Sequence, residues 1–183
     1  MSEKNVVQSH YETTVSEEKI YSGRVFSVGL RDVVLENGET SKREIVYHNG
    51  GAGILPVDSD GNVYLVRQFR CAFDKEILEI PAGKLEKGED PFFAAVRELE
   101  EETGFKSDSV ISLGEYWPTV GYCTERVYLY VAKMLTKGET HFDSDEFISL
   151  VKMPYEEAYE KCMNGEICDG KTLLAILKAK KYL

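Results

Sequence analysis

The sequence predicts an α+β protein in which helices pack on a mixed β-sheet. Strand-like segments mostly follow one another directly, and only three helical segments are found among them. Turn signals such as Glu36–Glu39 and Asp58–Gly61 separate neighbouring strands. Strands joined in this way, with few helices between them, favour an α+β arrangement over regularly alternating strands and helices.

The strand-like segments combine alternating or continuous apolar residues with turn residues at their ends. The polar residues 1–18 allow either a loose arm or a strand. The predicted strands are Arg24–Leu35, Arg43–His48, Gly53–Val57, Asn62–Arg70, Ile77–Ile80, Val110–Trp117, Arg126–Ala132 and Phe147–Met153. Two helices, Tyr155–Met163 and Lys171–Tyr182, close the chain.

Composition limits the class of protein and its partners. A chain of 183 residues with 43% hydrophobic and 30% charged residues is typical of one globular domain. A net charge of −10 disfavours nucleic acid and anionic membrane surfaces as partners. No membrane-spanning run, signal peptide or zinc-type cysteine spacing is evident, so we expect a cytoplasmic protein with reduced thiols.

The third helix, predicted over Pro91–Thr103, is dense in carboxylates. Asp90 is a good N-cap and Gly104 a good C-terminal stop. Helical spacing predicts a buried stripe of Phe92, Val96, Leu99 and Thr103, and places Glu98, Glu101 and Glu102 together on another sector. Glu100 falls apart from them and is expected to be solvated.

Clustered glutamates on one helix repel each other unless water or a cation compensates them. Mg²⁺ prefers oxygen ligands and commonly binds one or two carboxylates together with substrate phosphates. A glycine-bearing loop, Pro81–Gly83, precedes the helix and suits phosphate chemistry. A solvated acidic face is the alternative interpretation of the cluster.

The order of residues around the cluster resolves that choice. Gly83 is followed after five residues by Glu89, and after seven more by Arg97-Glu98-Leu99; Glu101-Glu102 and Gly104-Phe105 each follow after one residue. This pattern resembles the Nudix box, the signature of the Nudix hydrolases, at every defined position. The resemblance implies the Nudix fold, an α/β/α sandwich around mixed sheet, and hydrolysis of nucleoside diphosphates linked to another group.

The same resemblance assigns roles by position. It implies that Glu98 and Glu102 are the main ligands of Mg²⁺ or Mn²⁺, with the carbonyl of Ala82 as a further ligand. It implies that Glu101 and Glu89 assist with metal or water.

Two further positions of the box have implied roles. Arg97 would orient the glutamates by ion pairing, and Gly83 would permit the turn of the loop. An ordinary surface ion pair is the alternative for Arg97.

Segments outside the box resemble the ADP-ribose pyrophosphatases within this family. They are Gly23–Phe26, Ser41–Val46, Val66–Arg70, Glu79–Gly83 and Ile167–Thr172. The resemblance implies a homodimer that exchanges N-terminal strands and splits ADP-ribose into AMP and ribose 5-phosphate. It further implies that residues 1–48 are an N-terminal arm with dimerisation strands and residues 49–183 the hydrolase core.

Four residues outside the helix are candidates for substrate contact or catalysis. Arg70 and Arg43 offer planar donors to a diphosphate, and Phe26 offers an aromatic face to a base. Glu125 matches the catalytic loop glutamate of the subfamily and is a candidate general base. Surface arginines, a core phenylalanine and a solvated glutamate are the alternatives.

One departure from the subfamily pattern leaves the identity of the substrate open. The loop that ends at Glu125 carries Val120-Gly121 where the subfamily usually has Pro-Gly, a marker of ADP-ribose specificity. GDP-mannose or another nucleotide sugar is therefore the alternative substrate. A nucleotide-sensing domain without catalysis is a rival of a different class, disfavoured by the complete box and the lack of a basic domain.

Overall fold

A computed structural model describes residues 10–140 and 147–183 and divides the chain into two compact units. The first unit runs to His48 and includes Thr119–Thr124. The second comprises Asn49–Pro118 and Glu125–Leu183. The first half of the polar N-terminal segment lies outside the described residues.

Three antiparallel strands in the order β1-β2-β3 form the sheet of the first unit. They are β1 (Thr13–Ser22), β2 (Phe26–Val34) and β3 (Thr40–His48). This confirms the predicted N-terminal antiparallel region, and residues 13–22 are a strand rather than a loose arm. Every residue of β1 is exposed.

The second unit contains two sheets. One has the order β7-β4-β9-β8, with β4 parallel to β9 and the other pairs antiparallel, and the other has the order β10-β5-β6. The strands are β4 (Gly51–Pro56), β5 (Asn62–Arg70), β6 (Lys75–Glu79), β7 (Ala82–Lys84), β8 (Phe105–Tyr116), β9 (Val127–Lys137) and β10 (Ser149–Pro154).

Strand alternation sorts the buried residues of this unit onto two faces of the mixed sheet. Ile54 on β4 and Tyr130 on β9 pack with Ala94, Ala95 and Leu99 of helix α1 (Pro91–Thr103). On the opposite face, the next residues along both strands pack with helices α2 (Tyr155–Met163) and α3 (Gly170–Ala179). The result is a helix–sheet–helix layering that confirms the predicted fold class.

Most element boundaries agree with the sequence-based predictions, and four elements differ. Strand β9 continues to Lys137 rather than ending at Ala132. Strand β8 begins at Phe105 rather than Val110, because the left-handed Gly104 ends α1 and leads straight into pairing with Lys137. Strand β7 was expected as part of a loop, because three residues give no periodicity. The last helix ends at Ala179 and continues as a 3₁₀ turn, Lys180–Tyr182. None of the described helices has the length and apolar character needed to cross a membrane.

Candidate active site

Helix α1 begins and ends as its sequence predicts. The side chain of Asp90 accepts a hydrogen bond from the Phe92 amide at 2.8 Å, and Pro91 occupies the first helical position. Gly104 closes the helix at φ 68°, and its amide donates to the carbonyl of Glu100. The carboxylates of α1 are therefore presented by a rigid, capped element.

The buried face of α1 differs from the predicted stripe. Leu99 and Thr103 are buried as expected, but Phe92 is 39% exposed and Val96 is only half-buried. Ala94 and Ala95 face the sheet in their place, since small side chains let the helix approach β4 closely.

Because Ala94 and Ala95 face the sheet, two glutamates also lie on the inner side of helix α1. Glu98 is 8% exposed and Glu102 is 4% exposed, so the prediction that they lie away from the buried face was wrong. Two carboxylates buried on one helix face need strong compensation from polar groups or cations. Their surroundings on α1 and on the adjacent loop supply it.

Arg97 is the cation that joins the predicted box residues. Its Nη1 donates to Glu98 Oε1 at 2.7 Å and to Glu101 Oε2 at 2.8 Å, and its Nε lies 3.3 Å from Glu89 Oε1. We call Arg97 with these three glutamates the α1 network. The orienting role that the resemblance implies for Arg97 thus has a geometric counterpart, while the surface-pair alternative does not fit its half-buried guanidinium.

The charges of the α1 network shift its pKa values. Burial alone would lower the pKa of Arg97, but the negative charge of Glu98 and the bonds to all three glutamates raise it above the ordinary value. Glu89 has a lowered pKa, chiefly because it accepts the Glu86 amide at 2.9 Å and also because Arg97 is near. Arg97 and Glu89 are therefore both charged near neutral pH.

The loop before the helix touches both buried glutamates. The Ala82 amide donates to Glu102 Oε2 at 3.1 Å. At Gly83 the backbone lies so close to Glu98 that any Cβ would overlap its carboxylate. Glycine is required here by close approach rather than by a special turn, so Ala82, Gly83, Glu98 and Glu102 meet in one place.

Glu100 stands outside this group. It pairs with Lys106 at 3.0 Å on the other side of the helix. It is half-buried rather than fully solvated, but its separation from the other glutamates agrees with the prediction.

A second group of charges lies around Glu79, which is only 2% exposed. Arg70 donates to both of its oxygens, through Nε at 2.6 Å and Nη2 at 2.7 Å, and Lys171 pairs with Oε2. Lys171 also lies 3.1 Å from Asp169. We call Arg70, Glu79, Asp169 and Lys171 the α3 network, after the helix that two of them begin.

The α3 network is held in its charged form. Burial alone would raise the pKa of Glu79, but the bonds from Arg70 and the charge of Lys171 lower it below its ordinary value. The pKa of Arg70 is raised, first by the bond to Glu79 and also by the charge of Glu102. Arg70 therefore lies within electrostatic range of Glu102 on α1 as well as of its own network. Within the described residues nothing accepts a hydrogen bond from its Nη1.

Sequence reasoning identified Arg70 but missed Glu79, Asp169, Lys171 and Thr172 as parts of the site. Asp169 caps α3, accepting from the Thr172 amide at 3.0 Å. Two signals were available: an Asp followed by a helical segment, and a charged residue inside the apolar strand that ends at Ile80. Neither signal shows that the two segments meet.

Glu125 lies just before β9 and is half-buried. Burial raises the pKa of Tyr116, and the charges of Asp169, Glu125 and Glu79 add to that rise. Tyr116 is thus within electrostatic range of Glu125 and of two residues of the α3 network. Beside Glu125, the Arg126 guanidinium lies 5.3 Å from the Trp117 ring centroid.

Phe26 and Arg43 belong to the first unit. Phe26 is 42% exposed and lies against Tyr21, with ring centroids 5.6 Å apart, so it is not a core residue. Arg43 donates to Glu12 through both Nε and Nη2, and to Ser41 at 2.9 Å. Any phosphate that binds Arg43 must therefore compete with Glu12.

The donor set of the second unit suits a hard divalent cation. Among residues 10–140 and 147–183, no three His, Cys, Asp or Glu side chains are grouped tightly enough to hold a metal by themselves. Mg²⁺ does not require such a cage, since it keeps several waters and takes oxygens from carbonyls and substrate phosphates. The buried pair Glu98 and Glu102, next to the half-buried Ala82 backbone, fits that requirement.

Curated relatives cover almost the whole chain. A "methanol dehydrogenase activator" of Bacillus methanolicus is 43% identical and covers 90% of both chains. An "ADP-ribose pyrophosphatase" of Bacillus subtilis strain 168 is 39% identical and covers 93% of both. A "GDP-mannose pyrophosphatase" of Enterobacter sp. strain 638 is 32% identical and covers 88% of this chain and 92% of its own.

The comparisons of fold and of family agree with the geometry of the site. A crystal structure titled "ADP compounds hydrolase" superposes with a TM-score of 0.83 over 94% of both chains at 21% identity, which supports the fold alone. The family model described as "NUDIX domain" matches residues 47–173, a range that contains both networks. The chain therefore belongs to the NUDIX family and is a Nudix hydrolase, an enzyme of a generally divalent-metal-dependent group.

Proposed function

We propose that this enzyme hydrolyses ADP-ribose to AMP and ribose 5-phosphate in a Mg²⁺-dependent reaction, with Mn²⁺ as a possible substitute. The observation that carries the proposal is the meeting of Glu98 and Glu102 with the Ala82–Gly83 backbone. The 39%-identical relative named for ADP-ribose supports the substrate.

The residues divide the chemistry as follows. Glu98, Glu102 and the Ala82 carbonyl would hold the metal, which would neutralise charge on the diphosphate and activate water as a Lewis acid. Glu101 and Glu89 support this arrangement through Arg97. Gly83 leaves the space that the Glu98 carboxylate needs.

Proton transfer and substrate orientation fall to residues outside α1. Glu125 takes a proton from the water that attacks one phosphorus, and the bond between that phosphorus and the bridging oxygen breaks, so that the other phosphate leaves with the bridging oxygen. Water thus adds across the diphosphate, leaving two phosphate monoesters. Arg70, held by Glu79, directs its remaining Nη1 donors to the diphosphate oxygens. Phe26 and Arg43 remain proposed contacts for the base and phosphates.

We further propose that the protein is a single hydrolase domain, with N-terminal strands in residues 1–48 that form a homodimer. Its exposed β1 strand and exposed Tyr11, Val15 and Ile20 favour a second chain as partner. We also propose that it acts in the cytoplasm, since its four cysteines are free. Sedimentation analysis tests the dimer directly: a monomer at micromolar concentration contradicts it.

GDP-mannose is the second candidate substrate. The 32%-identical relative named for GDP-mannose and the Val120-Gly121 departure favour it. The name "methanol dehydrogenase activator" describes an effect on another enzyme and does not choose between the two.

A substrate panel tests the proposal. The protein is incubated with Mg²⁺ and, separately, ADP-ribose, ADP-glucose, GDP-mannose, NADH and diadenosine polyphosphates, and the products are identified. We expect the highest kcat/KM for ADP-ribose, with AMP and ribose 5-phosphate formed in equal amounts. An inert ADP-ribose with GDP-mannose cleaved contradicts the first choice and supports the second.

A further inference from the structure

The segment Glu79–Gly83 leads from β6 into β7 and carries the backbone at which the buried glutamates meet. It contacts residues of four other elements, β4, β5, α1 and α3. Glu79 is paired with Arg70 of β5 and Lys171 of α3. The position of the segment therefore depends on α3 as well as on α1.

Thr172 of α3 makes the central contact. The Ile80 amide donates to Thr172 Oγ1 at 2.8 Å, and both residues are fully buried. The same hydroxyl donates to Asp169 Oδ2 at 2.6 Å. Because the Thr172 hydroxyl donates its hydrogen to Asp169, its oxygen accepts from the Ile80 amide. The direction of the hydrogen bond between Ile80 and Thr172 is therefore fixed.

The next two residues connect this bond to the glutamates. The Pro81 carbonyl accepts from the Ile54 amide of β4 at 2.9 Å. The Ala82 amide donates to Glu102 at 3.1 Å. Only one residue separates the peptide unit held by Thr172 from the one held by Glu102, so a shift at Ile80 is passed to Ala82.

We propose that Thr172 is a positioning residue for the metal site, acting through the Ile80 amide to place the Ala82 carbonyl beside Glu98 and Glu102. The inference rests on the proposed function, because it requires those three groups to hold the metal. Residues that orient metal ligands typically change metal affinity or activity about 10–100-fold when they are replaced.

A purely structural Thr172 would behave differently. Its loss would lower the unfolding temperature but leave the metal affinity of the folded protein unchanged. Metal affinity, measured apart from turnover, therefore separates the two roles.

The test measures Mn²⁺ binding by electron paramagnetic resonance for the full-length wild type, Thr172→Val and Thr172→Ser. Valine keeps the volume but removes the acceptor for Ile80, whereas serine keeps it. Tyr155→Phe is the matched control, because it removes another buried hydrogen bond to α3, from the Tyr155 hydroxyl to the Ile176 carbonyl at 2.9 Å. We expect Mn²⁺ affinity to fall about 10–100-fold in Thr172→Val, and to be retained in the serine variant and the control.

Four outcomes overturn the inference. Wild-type affinity in folded Thr172→Val does so, and so does an equal loss in the control. If Thr172→Val does not fold, Thr172→Ala replaces it, with the amide exchange rate of Ile80 as a second measurement; unchanged affinity with fast exchange overturns the inference equally. Absence of Mn²⁺ binding in the wild type overturns the inference together with the metal assignment. Mn²⁺ binding without hydrolysis of any panel substrate contradicts the proposed function only.

Discussion

The α1 network and the α3 network use the same kinds of residue in different proportions. In the first, Arg97 pairs with Glu89, Glu98 and Glu101. In the second, Arg70 and Lys171 share one buried carboxylate, Glu79, and Lys171 also reaches Asp169.

This difference in charge balance indicates that the α1 network belongs to a binding site, whereas the α3 network is a structural support. Two cations and two carboxylates balance one another, so the α3 network needs no further ion and holds β5, β6 and α3 together. The α1 network has one cation for three carboxylates, and Glu102, which is buried like Glu98, adds a further negative charge nearby. An added divalent cation would stabilise this excess of negative charge. We therefore expect substitutions in the α1 network to reduce mainly turnover and metal binding, and substitutions in the α3 network to reduce mainly stability.

Glu98→Gln should have the largest effect on turnover. It keeps the size of the side chain but removes charge from the proposed metal site, so we expect kcat to fall about 10²–10³-fold or more with the fold intact. Steady-state kinetics at saturating Mg²⁺ measures it. Glu100→Gln on the same helix is the matched control, since Glu100 pairs with Lys106 instead. Near-normal turnover in Glu98→Gln would remove the metal assignment.

Glu125→Gln tests the proton acceptor and should come next in size. Loss of a general base typically costs about 10²–10⁴-fold, and the acidic limb of the pH–rate profile should flatten with it. Glu115→Gln, an exposed strand residue that accepts from Trp117 at 3.1 Å, serves as the control. An unchanged pH profile with reduced kcat would assign Glu125 a role other than proton transfer.

Gly83→Ala should act through the position of Glu98. The new Cβ overlaps the end of a flexible side chain, so the carboxylate moves while the backbone is retained. We expect the Mg²⁺ concentration for half-maximal activity to rise about 10–100-fold, with little change in thermal unfolding. A large loss of stability at unchanged Mg²⁺ dependence would show that Gly83 serves packing alone.

Glu79→Gln should have the smallest effect on turnover and a large effect on stability. Removing one partner of a buried pair leaves Arg70 without its carboxylate and Lys171 with Asp169 alone, and should cost about 3 kcal/mol of unfolding free energy. Urea unfolding measures this loss.

The same variant makes a prediction about pH. The pKa of Glu79 is lowered in the folded protein, so its contribution to stability is present above the unfolded-state value of about 4.3 and is lost as pH falls through the lower folded value. The unfolding free energy of Glu79→Gln should therefore depend less steeply on pH than that of the wild type below about pH 4.3. Parallel pH curves for the two proteins would contradict the assignment.

The two networks also differ in how far the sequence predicts them. The α1 network lies within one helix and the loop before it, so spacing and caps predict the helix and the separation of Glu100. The pairing of Arg97 with glutamates was implied by the resemblance to the Nudix box. The burial of Glu98 and Glu102 was not predicted, because it depends on Ala94 and Ala95 facing the sheet. Large apolar residues suggested the other face.

The α3 network joins residues about ninety positions apart. Local patterns predict its separate parts, namely the strand that ends near Ile80 and the helix that follows Asp169. They carry no information on which strand end meets which helix start. The tertiary fold decides this, and hence the roles of Glu79, Lys171 and Thr172.

The central claim is that the α1 network, and not the α3 network, is completed by a divalent cation. Mn²⁺ titration of the wild type, Glu98→Gln and Glu79→Gln, followed by electron paramagnetic resonance, tests it most directly. We predict that the wild type binds Mn²⁺ tightly, that Glu98→Gln loses this binding, and that folded Glu79→Gln retains most of it. Wild-type affinity in Glu98→Gln, or loss of binding confined to Glu79→Gln, would contradict it.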